Sequence, residues 1–308
     1  MIAQRWGVLG GGFGIYGYIP ALAANPLSRI TIIKKHFGFI NARPELNQYL
    51  PLIDFVDTHE EILSNSESLV ISVPPLIQIE YVLEAELKKF KYLVLEKPLA
   101  ETPTNANKVL ERGISQSNAM RIGYSFLYTL WAKDILENLE KFDKNSNIEI
   151  NWNFFAHYFK LEEGSWKADH KQGGGPLRFY GIQLIALLAC SEKVEVKNAA
   201  IVVDEFERAY KWNAEFIAES GVKIQINLNC RSEVEEFEIR KKSKNITSKF
   251  SIKNPFYNET PKNGDDKRSG ILRRIINSLE EDNQYYYEIY SRINKLWNEV
   301  ESKVKWQK

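Results

Sequence analysis

Cysteine is scarce: the 308 residues contain two, Cys190 and Cys230. Two thiols with no ligand-like spacing exclude a disulfide scaffold and a cysteine-built metal centre, and they fit a reducing compartment, so a cytoplasmic protein is expected. Long apolar runs are also lacking. Hydrophobic residues make up 44% and charged residues 26%, ordinary for a soluble globular chain, and no stretch approaches the length of a membrane span. Excess charge is missing as well, since 41 basic against 40 acidic side chains leave +1. That gives no global field for nucleic acid or a membrane surface, so any anion site must be local. One segment imitates a secretory signal, Arg5 followed by Trp6 to Ala24. The glycines between Gly7 and Gly17 would ruin the helical core of a signal, whereas a strand, glycine turn and helix uses them directly.

What is present is an alternation. The length fits two domains. Trp6 to Leu9 reads as a strand, followed by a glycine turn and a helix from Tyr18 to the Asn25-Pro26 stop. Ile30 to Ile33, Leu52 to Val56, Leu69 to Val73, Tyr92 to Leu95 and Met120 to Tyr124 repeat the strand pattern. Between them fall helices at Pro44 to Leu50, at Ile62 behind a Thr58/Glu61 capping box, at Leu76 to Phe90 and at Pro103 to Ser117. Strands and helices alternating at this spacing predict an α/β fold, an N-terminal Rossmann doubly wound parallel sheet over residues 1–122. Beyond that the grammar changes. A helix over 131–142 precedes period-2 segments at Ile148 to Phe154, Lys197 to Val203, Tyr210 to Ala218 and Lys223 to Asn229, with Ser220-Gly221 as a hairpin turn. Residues 123–308 are therefore expected to form a C-terminal α+β domain with a largely antiparallel open sheet, one face left for another subunit. Residues 253–267 read as a surface loop, and 271–304 as a final helix interrupted near Asp282.

Gly10, Gly12 and Gly14 follow the first strand directly, where backbone N–H groups and a helix N-terminus can hold a pyrophosphate. The strict G-x-G-x-x-G spacing is met by Gly12, Gly14 and Gly17, but the register starting at Gly10 sits nearest the strand and is preferred, with Phe13 and Ile15 in the turn. About 20 residues on, an NAD site would usually present an acidic residue to the ribose. Here stand Lys34, Lys35 and His36, cations that suit a 2'-phosphate, with Arg43 as a helper. NADP(H) is accordingly preferred, with NAD(H) the alternative. Val73-Pro74 with Gln78, and Glu96-Lys97-Pro98, end the fourth and fifth strands on the carboxyl edge, where open α/β sheets bind ligands. Lys97 is placed to polarise a substrate hydroxyl or carbonyl and to relay its proton.

Gly10 to Ala21, the Val73-Pro74-Pro75 edge and above all Glu96-Lys97-Pro98-Leu99 resemble the Gfo/Idh/MocA family of NAD(P)-dependent oxidoreductases, of the glucose-fructose oxidoreductase and inositol dehydrogenase type. The resemblance spans at least residues 5 to 190 and implies hydride transfer between a nicotinamide and a hydroxyl or carbonyl carbon of a sugar or sugar derivative, with Lys97 catalytic. The open antiparallel sheet predicts a homodimer or homotetramer through its free face, and no metal is expected. The family's second motif is present as Gly173-Gly174-Gly175-Pro176, with Phe179 where members carry Asp and Gln183 where they carry His. Neither side chain can move a proton at neutral pH. Lys97 acting alone, Tyr180 or His170 are the substitutes, and Tyr124, Trp166, Phe179 and Gln183 are candidate substrate contacts; Arg121 closes the sixth strand, and His157 reads as structural. The rival reading is a catalytically impaired dinucleotide-binding member acting as a sensor or partner protein. A sugar-binding module with an empty Rossmann domain is the third.

Overall fold

The computed structural model describes residues 4–84, 89–133, 146–160, 165–191, 193–243, 247–256 and 264–308. The chain divides into two compact units. The first comprises Met1–Ala100, Asn107–Tyr128 and Phe256–Tyr287, the second Glu101–Ala106, Thr129–Pro255 and Glu288–Lys308. This interleaved division differs from the single cut at 122/123 expected from sequence, because a late segment returns to the first unit.

The first unit holds six parallel strands, β1 (Gln4–Leu9), β2 (Ser28–Ile33), β3 (Ile53–Val56), β4 (Ser68–Ile71), β5 (Phe90–Leu95) and β6 (Ser117–Ile122), in the order β3-β2-β1-β4-β5-β6. This is the doubly wound order of dinucleotide-binding sheets, with its switch point between β1 and β4. The predicted capping box is formed: Glu61 N donates to Thr58 Oγ1 at 3.2 Å and Thr58 N to Glu61 Oε2 at 3.0 Å. The last strand begins at Ser117, earlier than read from sequence, which leaves Tyr124 beyond its end. Residues 85–88 of the helix expected over Leu76 to Phe90 and 134–142 of the helix expected over 131–142 lie outside the described residues.

The late segment carries the helix Ser269–Asn277, whose Ile271, Leu272 and Ile275 join the cluster of Trp6, Val8, Ile15, Tyr18 and Ile19. Each such side chain contributes roughly 2 kcal/mol of burial. Arg121 on β6 is fully buried and fixes the same segment. Its Nε donates to Ser278 Oγ at 3.1 Å, its Nη1 to Asn283 Oδ1 at 2.8 Å and its Nη2 to the Ser278 carbonyl, while the guanidinium lies 3.6 Å over the Tyr286 ring. Packing is thus the role of Arg121 in this unit.

The second unit has a seven-stranded sheet of β7 (Asn147–Phe155), β8 (Val194–Val203), β9 (Ala209–Ala218), β10 (Lys223–Asn229), β11 (Arg231–Lys242), β12 (Thr247–Ile252) and β13 (Val304–Gln307). Its order is β12-β11-β7-β10-β9-β8-β13. The β7/β10 and β8/β13 pairs are parallel and the others antiparallel. Alternate residues such as Ile150, Trp152, Trp212, Phe216 and Ile226 are buried on one face. The opposite face is polar: Asn227 donates to Asn151 at 2.9 Å, and Glu238 pairs with Arg240 and Lys249. Helix Ile182–Cys190 is buried at every position up to Ala189 and forms the centre of this unit. The final helix, Asn283–Lys303, starts after Asp282, whose Oδ1 accepts from Gln284 N at 3.0 Å. It stops at Lys303, and Val304, read from sequence as the last helical residue, opens β13. Among the described residues no helix is long and apolar enough to cross a membrane.

Candidate active site

In the first unit, Gly10 directly follows β1 with φ +135, and a Cβ there would stand 2.1 Å from the Ser72 carbonyl oxygen. Only glycine tolerates this turn. Around Gly12 there is no atom within 4 Å of an added Cβ. The geometry therefore favours the register that begins at Gly10, with Gly12 as the point where a ligand can approach backbone. Helical structure starts immediately after, at Gly14–Tyr18, and continues through Ile19–Leu22. Ile15 N and Tyr16 N donate to Gly12 O at 3.0 and 3.2 Å. Gly17 has a separate cause, since a Cβ there would meet the Phe13 ring at 2.5 Å.

Lys34 and Lys35 occupy a helical turn, Lys34–His36, at the carboxyl end of β2. Both are exposed; Lys34 reaches Asp57 at 3.8 Å with side chains 69% and 77% exposed, a pair too solvated to hold the ammonium against a phosphate. His36 lies against Gly11, where a Cβ would stand 2.6 Å from the ring. Partial burial and the neighbouring Lys35 lower its pKa, keeping the ring neutral near pH 7. Sequence reading named His36 only as part of a cationic trio. Arg43 is turned to Glu45 at 2.7 Å and stacks over Phe39, so it is already engaged.

The Glu96-Lys97-Pro98 turn is built by Gln78. This buried amide accepts from Glu96 N at 3.0 Å and donates to Glu96 O at 2.9 Å and Leu99 O at 3.0 Å. Gln78 itself sits on the helix Pro75–Ile79, which begins where Val73 and Pro74 leave β4. Glu96 accepts from Tyr18 OH at 2.6 Å and from Lys97 N at 3.2 Å. Burial of the Glu96 carboxyl raises its pKa, against Tyr18, Lys97 and Arg268, which lower it. The Lys97–Pro98 peptide is cis, and Lys97 is half-buried at the carboxyl edge of β5. Tyr124, a candidate substrate contact, is fully buried.

In the second unit, the triple glycine turns the chain into Pro176–Gly181 and the central helix. Gly175 has φ +78, and a Cβ on Gly174 would stand 2.2 Å from Trp166 O. The aromatic candidates are brought together. Trp166 meets Phe179 edge-on at 5.3 Å, Phe179 meets Tyr180 at 4.8 Å, and Tyr180 meets Phe154 at 4.6 Å and Trp152 at 5.7 Å. Gln183 is fully buried in the first turn of its helix.

His170 joins a different group. Its Nε2 stands 3.5 Å from Glu301 Oε2, while Glu301 Oε1 accepts from Arg178 Nε at 2.7 Å and Trp297 Nε1 at 3.0 Å. Trp306 lies edge-on to the imidazole at 5.0 Å. His170 thus stands beside the carboxylate of Glu301, which also holds Arg178. His157 lies just past β7 in a helical turn, exposed. Both thiols are pushed up to about 12 by burial, which excludes them as nucleophiles.

No family model matches the chain, and no curated protein matches it. Solved structures do. The dehydrogenase WlbA from Bordetella pertussis, in complex with NADH and UDP-GlcNAcA, superposes with TM-score 0.74 at 14% identity, covering 98% of this chain and 96% of that one. KijD10, a 3-ketoreductase from Actinomadura kijaniata in complex with NADP and TDP-benzene, gives 0.73 at 14% identity over 99% of both chains. GenD2 from gentamicin A biosynthesis, in complex with NAD, gives 0.69 at 13% identity, covering 98% and 95%. The chain has their fold. The likeness covers both units and nearly the whole length, so the second sheet is as much a part of it as the first.

Proposed function

We propose that this protein is an NAD(P)-dependent oxidoreductase of the Gfo/Idh/MocA type, acting at a hydroxyl or carbonyl carbon of a sugar derivative. The observation that carries the reading is the pairing, on one carboxyl sheet edge, of the Gly10–Gly12 turn with the clamped Glu96-Lys97-Pro98 turn. The dinucleotide fits: Gly12 has open space beside its backbone, and helical structure begins directly after the turn. When bound, the nicotinamide supplies the hydride chemistry. The chain's own part is to bind and to manage protons. Backbone N–H groups of Gly12, Phe13 and Gly14 hold the pyrophosphate, Lys34 and Lys35 take a 2'-phosphate, and NADP(H) is the preferred form. Lys97 holds the proton at the substrate oxygen, since Phe179 and Gln183 cannot and His170 is engaged with Glu301. Tyr180 is the remaining substitute.

Trp166 and Phe179 suit a sugar ring by stacking. The three similar structures hold NADP, NADH or NAD, and two of them also a nucleotide-linked ligand. A nucleotide-linked sugar is therefore the first substrate class to offer. A homodimer or homotetramer would form through the polar sheet face, as a wet interface, to be read by light scattering.

The second reading, a dinucleotide-binding protein without turnover, is favoured by Phe179 and by the burial of Gln183. Titration with NADPH and NADH, followed by turnover assays on keto and hydroxy nucleotide sugars, separates the two. Under the first reading Lys97→Ala abolishes turnover and spares nucleotide binding, and Lys34→Ala/Lys35→Ala weakens NADPH but not NADH. Binding without turnover on any member of the panel selects the second reading. Binding of neither nucleotide refutes both.

A further inference from the structure

The first unit carries a cation beside the glycine turn that comes from the other end of the chain. Arg268 stands at the start of the helix Ser269–Asn277, and its guanidinium lies 4.3 Å over the Phe13 ring and 5.6 Å from the Tyr16 ring. Phe13 is the residue that follows Gly12. Asp266 grips one edge of the guanidinium, accepting from Nε at 2.8 Å and from Nη2 at 2.8 Å, and its Oδ1 also accepts from Arg268 N at 2.9 Å. The edge bearing Nη1 is turned away from Asp266, and the side chain remains 30% exposed. The segment is pinned one step earlier as well, where Tyr49 OH donates to Asp265 Oδ1 at 2.7 Å. Tyr49 lies in the connection between β2 and β3, so the segment crosses from that connection to the glycine turn.

We propose that Arg268 is a phosphate-binding residue of the dinucleotide site, its Nη1 edge directed at the pyrophosphate held by the Gly10–Gly12 turn. The inference rests on the reading of the first unit as a dinucleotide site. Three observations support it together. The guanidinium lies over the ring of Phe13, the residue that follows Gly12, and Gly12 is the one glycine of the turn with open space beside it. It is pre-aimed, because stacking on Phe13 and the two bonds to Asp266 fix its plane before any ligand arrives, which lowers the ordering cost of binding. It is also a different cation from Lys34 and Lys35, which extend from β2 and suit a 2'-phosphate. A glycine turn meets a pyrophosphate with N–H dipoles alone, and a guanidinium adds the formal charge that dipoles lack.

The pyrophosphate is common to NADH and NADPH, whereas the 2'-phosphate is not, and this separates the candidate phosphates. Titrating wild type, Arg268→Met and Arg268→Lys with both nucleotides, the Met variant should raise both Kd values by about the same factor, about 10- to 100-fold. The Lys variant should recover part of the loss. In the wild-type protein, labelling of Arg268 by phenylglyoxal should be blocked by saturating NADH, a measurement that does not depend on how the variants fold. An unchanged Kd with NADH-insensitive labelling overturns the proposal. So does a loss confined to NADPH, which would make Arg268 a 2'-phosphate ligand. Wild type that binds neither nucleotide would instead defeat the underlying reading.

Discussion

Glu301→Gln tests the second unit's internal electrostatics with a magnitude that follows from the structure. The carboxylate is 16% exposed, faces Arg178 at 2.7 Å and His170 at 3.5 Å, and accepts from Trp297 at 3.0 Å. Burial alone would raise its pKa. The hydrogen bonds from His170 and Arg178, with their charges, outweigh that and hold it at about 2, against an ordinary value of 4.5. The folded state therefore binds fewer protons than the unfolded one between those values. At about 1.4 kcal/mol for each pH unit, the carboxylate contributes roughly 3 kcal/mol. That contribution is complete above about pH 4.5 and fades as pH falls toward 2. The amide keeps the shape and one acceptor but leaves the Arg178 guanidinium, 11% exposed, without its counter-charge. Urea unfolding followed by tryptophan fluorescence should show the variant about 3 kcal/mol less stable at pH 7, with a smaller difference at pH 3. A loss below about 1 kcal/mol at pH 7, or an equal loss at both pH values, would refute the argument that this ion cluster is what holds His170.

Arg121→Met removes a buried guanidinium from acceptors on Ser278, Asn283 and Glu281. It should lower stability by about 3 kcal/mol in urea unfolding, and Arg121→Lys should rescue little of it. Gly10→Ala should abolish nucleotide binding or folding, because the added methyl would collide with Ser72 O at a backbone φ of +135; a thermal melt alongside the titration separates the two results.

The parallel sheet was legible because its strands are buried on both faces and read as continuous apolar runs such as Leu69-Val70-Ile71 and Leu93-Val94-Leu95. The carboxyl-edge residues were legible for the same reason, since strand ends fix where the turns lie. The strands β11 and β12 were not. Their alternation is written in Glu, Arg, Lys and Ser, because the polar face of the sheet and an edge position leave few apolar residues to mark the period. Strand β13 was missed as well, because four residues, Val304-Lys305-Trp306-Gln307, directly after a long helix are too few to show a period. The return of 256–287 to the first unit had no local signal. The apolar stripe Ile271, Leu272 and Ile275 says that this helix is amphipathic but not which core it covers, and Arg268 read as the edge of a surface loop. His170, close before a glycine motif, is a natural acid/base candidate, but that Glu301, far along the chain, stands beside it had no local signal.

The two units differ in how much of their chemistry is kept. In the first, Gln78 uses its amide on Glu96 N, Glu96 O and Leu99 O, an arrangement needed to fix a Glu96-Lys97-Pro98 turn and needless for holding a pyrophosphate. A chain that only bound a dinucleotide would not require the Lys97 ammonium at a fixed place. In the second, Phe179 and Gln183 stand where the resemblance to the Gfo/Idh/MocA family implies aspartate and histidine, and Phe179 meets Trp166 and Tyr180 edge-on. Of these three rings only that of Tyr180 carries a group that can exchange a proton; the others can select a ligand by shape and apolar contact. Under the proposed function, a lysine without the aspartate and histidine that the resemblance implies is the first group to carry the proton transfer, with Tyr180 its substitute. That gives the Lys97→Ala experiment its weight: it should abolish turnover, and any residual rate above that of the solvent reaction would point to Tyr180.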